Sequence, residues 1–393
     1  SSVKCLLSES MASVPPPPSG RPVRVLILTA AFGEGHNTAA RSVSEALRLH
    51  GDAEVSVVDV YQRTVPKFTR LLQSAYGFAI NKLPSAWSLI FDFLDKPGRL
   101  EATLPLASNL RDAVREELRT FRPDVILSTY PLYAYLVREL RSRGEESARV
   151  PLVTVVTDST AINSSWYRGG SEVFAVADEE TASVLRHGGI DPSQIRVLGF
   201  PVAPRFAALR PLAPEIHGAV RILYMPSSKI RQTLAVTKAL LGIPGTEVTV
   251  VTGRLASLHA ALERSGIFDG KRAHLVGWTD KVPELLCSHH LYIGKAGGAI
   301  VQEAVASRCP ILVSHVVPGQ EEGNIEMIER HGIGRLAAHY PTTIAASVEE
   351  AFASGGATWK GWKANLASIS RPDASVRIAE FLVQTARNAQ SGG

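Results

Sequence analysis

Cysteine is nearly absent from this chain of 393 residues, which carries only Cys5, Cys287 and Cys309. Three scattered thiols are too few for a disulfide framework or a zinc site, and the usage fits a reducing cytosol. No apolar run long enough to cross a bilayer is free of charge, so no spanning helix is expected. The first residues hold Lys4 and a very short apolar patch, which is not a secretory signal. No Asp-x-Asp pair occurs, so nothing supplies the carboxylate pair that grips magnesium or manganese. The Gly33-x-Gly35 run lacks the third glycine of a dinucleotide fingerprint, since Thr38 stands there, which argues against a dehydrogenase.

What is present is ample for two cores. Hydrophobic residues make up 45% of the chain, and its length suits two domains. The net charge of +5 favours an anionic partner, such as a nucleotide or an acidic lipid surface, although moderate basicity also serves solubility alone. Met11, followed by Pro15 to Pro18, reads as a natural start and a stiff tail, so residues 1–20 form a disordered Pro-rich segment.

From there strands and helices alternate. Buried strand-like runs fall at Val23–Thr29, Glu54–Val60, Asp124–Ser128, Leu152–Thr157, Val173–Val176 and Ile195–Leu198. Helices fit at Thr38–His50, Tyr133–Arg143 and Asp178–His187. After a proline-marked linker, a second series runs through Arg221–Met225, Glu247–Val251, Ala273–Val276, Leu291–Ile293 and Ile311–Val313. Such βαβ series imply doubly wound parallel sheets that bind ligands at the carboxyl ends of their strands. The expected division is an N-terminal Rossmann-like domain at 21–205, a C-terminal Rossmann-like domain at 206–372, and a closing helix and tail at 373–393. Residues 64–99 break the rhythm. Phe68, Leu71, Tyr76 and Trp87 share apolar faces flanked by Lys67, Arg70, Lys82, Lys96 and Arg99, a pattern that suits a membrane interface or a helical hairpin packed on the core.

The most informative stretch is Leu291 to Asn324: strand, Gly297-Gly298, helix, strand, polar loop. Without Cβ atoms at that turn a ligand can approach the backbone, and the helix that follows offers its free N–H groups to a phosphate. Lys295 adds positive charge, and Glu303 inside the helix can accept both hydroxyls of a ribose. An ordinary βα turn has the same spacing. At the first strand's end, Gly35 leaves room for a sugar, and His36 is either a base or a packing residue at a helix start.

Together these motifs resemble glycosyltransferase family 28, in particular the monogalactosyldiacylglycerol synthases and processive diacylglycerol glucosyltransferases. The resemblance spans roughly residues 23–370. It rests on Gly33-x-Gly35-His36, on Thr157-Asp158 with Trp166, and on Gly199-x-Pro201-Val202. It rests further on Lys295-Ala296-Gly297 with Glu303, and on Pro318-Gly319-Gln320-Glu321-x-Gly323-Asn324. It implies a GT-B fold, two Rossmann-like domains facing a central cleft, and an inverting transfer of a hexose from UDP-galactose or UDP-glucose to a lipid such as diacylglycerol.

By the same resemblance, Val276, Gly277 and Trp278 line a uracil pocket and Glu303 holds the ribose. Gly297 and Gly298 take the diphosphate, while Gln320, Glu321 and Asn324 contact sugar or phosphate. Gly33 and Gly35 sit near the acceptor, His36 is the base, and Asp158 is the next candidate for that role. Ser228 and Lys229 stand where the family usually has a Gly-rich loop, and Lys229 or Lys295 meets the leaving group. No metal, no cofactor beyond the UDP-sugar co-substrate and no nucleic acid are expected. The expected location is cytoplasmic, attached peripherally to an anionic inner membrane face. A UDP-sugar 2-epimerase of the same fold, or a non-catalytic nucleotide-sugar or lipid-binding protein, is the alternative.

Overall fold

The computed structural model describes residues 21–31, 34–64, 108–158, 162–227, 229–316, 321–338 and 340–391. The tail at 1–20, the stretch 65–99 of the amphipathic insert, and Gly33, Ser228 and Gln320 lie outside these residues. The chain divides into two compact units, Ser1–Ala208 with Arg371–Gly393, and Leu209–Ser370.

Unit 1 runs β1 (Val23–Thr29), α1 (Glu34–His50), β2 (Ala53–Asp59), α2 (Val60–Thr64), α3 (Ser108–Phe121), β3 (Val125–Ser128), α4 (Leu132–Ser142), β4 (Leu152–Val155), β5 (Val173–Val176), α5 (Glu179–His187) and β6 (Ile195–Val197). Its strands form one parallel sheet in the order β2-β1-β3-β4-β5-β6. A parallel sheet is covered on both faces, so its central strands are apolar throughout. In β1 the side chains alternate between two cores. Val23, Val25 and Ile27 pack with Val43 and Leu47 of α1, whereas Leu26 and Leu28 pack with Val114 of α3 and Leu136 of α4.

Unit 2 runs β7 (Val220–Tyr224), α6 (Ile230–Gly242), β8 (Thr246–Val251), α7 (Ala256–Glu263), β9 (Ala273–Val276), α8 (Val282–Ser288), β10 (Leu291–Lys295), α9 (Gly298–Ala306), β11 (Ile311–His315), α10 (Glu322–Arg330), β12 (Gly334–Leu336) and α11 (Pro341–Ile369). Helix α11 is broken at Ala353–Gly356, where Ser354, Gly355 and Gly356 turn to positive φ. The sheet is again parallel, in the order β12-β11-β10-β7-β8-β9.

Each strand order contains one reversal. In unit 1 the chain leaves β1 for β2 and then crosses back to β3. In unit 2 it proceeds from β7 to β9 and then crosses back to β10. The strand ends flanking these reversals, β1/β3 and β7/β10, are where an open α/β sheet receives ligands.

Two features differ from the sequence reading. Helix α1 begins at Glu34 rather than Thr38, so Gly35 and His36 occupy its first turn. Glycine's low helix propensity hides that start. The closing helix α12 (Ala374–Ser391) belongs to unit 1, where Ile378, Ala379, Leu382, Val383 and Ala386 complete the core against Val43, Ala46 and Leu47. Because Leu382 is fully buried there, Leu382→Ala is expected to destabilise unit 1 by about 2–5 kcal/mol in chemical denaturation. Unchanged stability would mean that α12 does not share this core.

Candidate active site

At the reversal of unit 1, three strand ends are tied together by hydroxyl groups. Tyr133 Oη donates to the Thr29 carbonyl at 2.7 Å, and Thr129 Oγ1 donates to Thr29 Oγ1 at 2.9 Å, joining the ends of β1 and β3. His36, in the first turn of α1, comes to the same edge. Its Nδ1 lies 2.7 Å from Thr157 Oγ1, just beyond β4. The Tyr130 ring meets the imidazole edge-on at 5.3 Å between centroids, and Trp166 lies tilted beside it at 5.8 Å. As a residue His36 is half-buried at the edge of this aromatic cluster.

Asp158 completes this group. Its Oδ2 accepts a 2.6 Å hydrogen bond from Trp166 Nε1. The indole is placed by its surroundings. Asn163 caps the short turn Ser164–Trp166 by accepting from the Ser165 amide at 2.9 Å, and the ring packs among Val156, Phe174 and Val176. A buried indole N–H needs a partner, and here the partner is a carboxylate.

Burial is the main force on both titrating groups. It lowers the His36 pKa from its ordinary 6.5, against the pull of the Asp158 carboxylate and a hydrogen bond with the Thr129 backbone. It raises the Asp158 pKa from its ordinary 3.8, against the His36 charge and the Trp166 N–H. A neutral imidazole at pH 7, with a negative charge nearby, is equipped to accept a proton and to tolerate the cation that results.

The reversal of unit 2 is built differently. Tyr292 folds back over Gly294, where a Cβ would come within van der Waals overlap of the phenol, and donates to the Lys295 carbonyl at 3.1 Å. The register of β10 against β11 shifts between Gly294 and Lys295, and Lys295 emerges exposed. Such bulges commonly re-aim a side chain at a site. Gly297 then caps α9 with φ −66° and brings no side chain of its own to the helix's first amides. Neither Gly297 nor Gly298 has a positive φ. A Cβ on Gly298 would meet only Asn324 Nδ2, at 3.8 Å. The glycines therefore serve open space, not backbone conformation.

Three polar side chains converge on that turn. Lys295 Nζ and Glu321 Oε1 lie 3.7 and 3.8 Å from the point a Gly297 Cβ would occupy. Asn324 Nδ2 donates to the Ala296 carbonyl at 2.9 Å and so docks the start of α10 against the start of α9. Two helix N-termini thus open side by side, an arrangement suited to an anion. Glu303, half-buried in α9, and Glu321, 3% exposed, both flank Tyr292, whose phenol is pushed up by burial first and by these two charges second.

The remaining predicted residues are spread along the same sheet edge. Lys229 is exposed after β7, and its carbonyl accepts from Thr233 N and Oγ1 at 3.0 Å to start α6. Val276 and Gly277 end β9, which lies three strands from β10, about 14 Å away at the usual strand spacing. Trp278 is 63% exposed, with the Arg254 guanidinium over its ring at 5.9 Å. A Cβ added to Gly35 would have nothing within 4 Å, so this glycine too leaves space open. Tyr130 was not among the predicted residues. The run Ser128-Thr129-Tyr130, hydroxyls at the end of a fully buried strand, is the signal that points to it.

Residues 36–202 match the family described as monogalactosyldiacylglycerol (MGDG) synthase. The chain is 27% identical over 387 residues to the chloroplastic monogalactosyldiacylglycerol synthase of Spinacia oleracea, covering 93% of this chain and 73% of that one. It is 26% identical over 319 residues to the processive diacylglycerol beta-glucosyltransferase of Bacillus subtilis (strain 168), covering 79% and 82%. Among solved structures, MurG of Acinetobacter baumannii aligns with a TM-score of 0.57 at 12% identity, over 92% of this chain and all of that one, a likeness of fold.

The two charges at the unit 1 site should be separable by titration. Followed by NMR, His36 is expected to protonate below its ordinary 6.5, so the neutral form prevails at pH 7. Asp158→Asn removes a carboxylate that holds this pKa up, and the midpoint should fall further. A midpoint that rises in the variant would show that Asp158 does not act on the ring through its charge.

Proposed function

We infer that this chain, a relative of the monogalactosyldiacylglycerol synthases and processive diacylglycerol glucosyltransferases of glycosyltransferase family 28, is a GT-B hexosyltransferase. Its donor is a UDP-sugar, UDP-galactose or UDP-glucose, and its acceptor is diacylglycerol or a lipid like it. The observation that carries this reading is the turn at Gly297–Gly298. There two helix N-termini, Lys295, Glu321 and Asn324 surround glycines whose only evident purpose is room.

In this reading the diphosphate lies over that turn, Glu303 accepts the ribose hydroxyls, and the base reaches toward Val276, Gly277 and Trp278. His36 takes the acceptor hydroxyl's proton as the oxygen attacks the anomeric carbon. The bond from that carbon to the phosphate oxygen breaks, the electron pair leaves with UDP, and the configuration inverts. Lys295 and the open helix ends meet the developing charge, so we propose that the departure needs no divalent ion. Diacylglycerol resides in a bilayer, and no helix among the described residues is long and apolar enough to cross one. With a net charge of +5, we place the protein peripherally on the inner, anionic membrane face.

The test is a matrix of UDP-galactose, UDP-glucose and UDP-N-acetylglucosamine against diacylglycerol in anionic vesicles, scored by mass spectrometry. A hexosyl-diacylglycerol from one of the first two donors is expected, with activity nearly intact after chelation. Conversion of the donor alone would mark an epimerase. Donor binding without any product would mark a non-catalytic binder, and loss of activity on chelation would refute the metal-free leaving group.

A further inference from the structure

We propose that the Thr157 hydroxyl is a positioning group that holds the proton of neutral His36 on Nδ1, leaving the Nε2 lone pair for the acceptor. The proposal rests on the transferase reading of the site and adds a residue to it.

The geometry shows which ring nitrogen Thr157 engages. Nδ1 is occupied by Thr157 Oγ1 at 2.7 Å, whichever of the two atoms carries the hydrogen. Nε2 can receive the acceptor's proton only if Nδ1 is the N–H of the neutral ring and the bond to the Thr129 backbone falls on that same Nδ1–H. Thr157 must then accept. A threonine oxygen can accept one N–H and still direct its own O–H elsewhere, and half-buried Thr157 has solvent for that. Its place is set by a rigid element. All four residues of β4 are buried, the strand lies between β3 and β5, and Thr157 follows two residues later.

Asp158 is committed to another partner, which clarifies the division of roles. In a serine-protease triad one carboxylate both orients the imidazole and balances its charge. Here the Asp158 Oδ2 accepts from Trp166 Nε1 at 2.6 Å, while its charge still reaches the ring. Orientation falls to Thr157 and charge to its neighbour. The other groups facing the imidazole are the Tyr130 ring after β3, the Trp166 ring and the Thr129 backbone. Among these described neighbours Asp158 and Tyr130 are the titratable ones. After proton transfer the imidazolium keeps its Nδ1–H on Thr157, so the ring need not reorient during the step.

Two measurements test this separately. The first is nitrogen NMR of histidine-labelled protein without substrate at a pH where His36 is neutral. Wild type should show a protonated Nδ1 and a bare Nε2, and Thr157→Val should shift the population toward Nε2–H. A wild-type ring protonated on Nε2 would overturn the proposal, whatever reaction the protein performs. The second uses turnover with UDP-sugar and diacylglycerol. Thr157→Val should lower kcat roughly 10- to 150-fold, the worth of a hydrogen bond to a charged group, with KM little changed. Thr157→Ser should keep most of the rate. The acid limb of the kcat profile should move to lower pH in Thr157→Val, because an acceptor for the cationic ring is lost. A limb that moves to higher pH would mean that Thr157 donates to Nδ1, and equal losses in the Val and Ser variants would mean a packing role; either result overturns the proposal. If no sugar is transferred by wild type, the function assignment fails while the NMR result still decides the tautomer.

Discussion

Parallel pairing places every strand's carboxyl end, and the helix N-terminus that follows it, on one edge of the sheet. The chemistry of this protein depends on that constraint. In unit 1 it draws His36, Tyr130, Thr157 and Asp158 together from three different strand connections. In unit 2 it aligns the starts of α9 and α10 beside Lys295. Neither group is contiguous in the chain, since His36 and Thr157 are 121 residues apart.

The two edges use burial in opposite ways. At the first, aromatic rings and buried strand ends strip water from an imidazole and a carboxylate, lowering one pKa and raising the other. Burial favours the neutral form of each group, while the charge of each favours the ionised form of the other. At the second, an exposed lysine and a helix start capped by glycine lend positive character, while Glu303 and Glu321 sit around Tyr292. Positive charge outside and carboxylates inside match a ligand with a phosphate group and sugar hydroxyls.

Much of this was legible from residue order alone, for physical reasons that differ by element. The strands Val23–Thr29, Val173–Val176 and Ala273–Val276 match the sequence reading to the residue, because short runs rich in aliphatic side chains mark a strand even where Arg24 or His274 interrupts them. Strand β12 escaped notice, since Gly334–Leu336 is three residues long and carries no apolar run. The closing helix was visible, but not its docking on α1, which requires the three-dimensional match of Leu382 and Val383 to Val43 and Leu47. At the site, His36, Lys295 and Glu303 are candidates that motif spacing alone could name. The pairing of His36 with Thr157, the edge-on Tyr130 and the Trp166–Asp158 hydrogen bond arise from convergence of distant strand ends, which no local pattern encodes.

The central claim is that the imidazole of half-buried His36 removes the acceptor's proton. Turnover of His36→Gln at saturating donor tests it most directly, because glutamine preserves a hydrogen-bonding side chain without a usable base. The account predicts a rate lower by about 10²–10⁴-fold with donor affinity unchanged, the usual worth of general-base help. Near-normal turnover in that variant would contradict it.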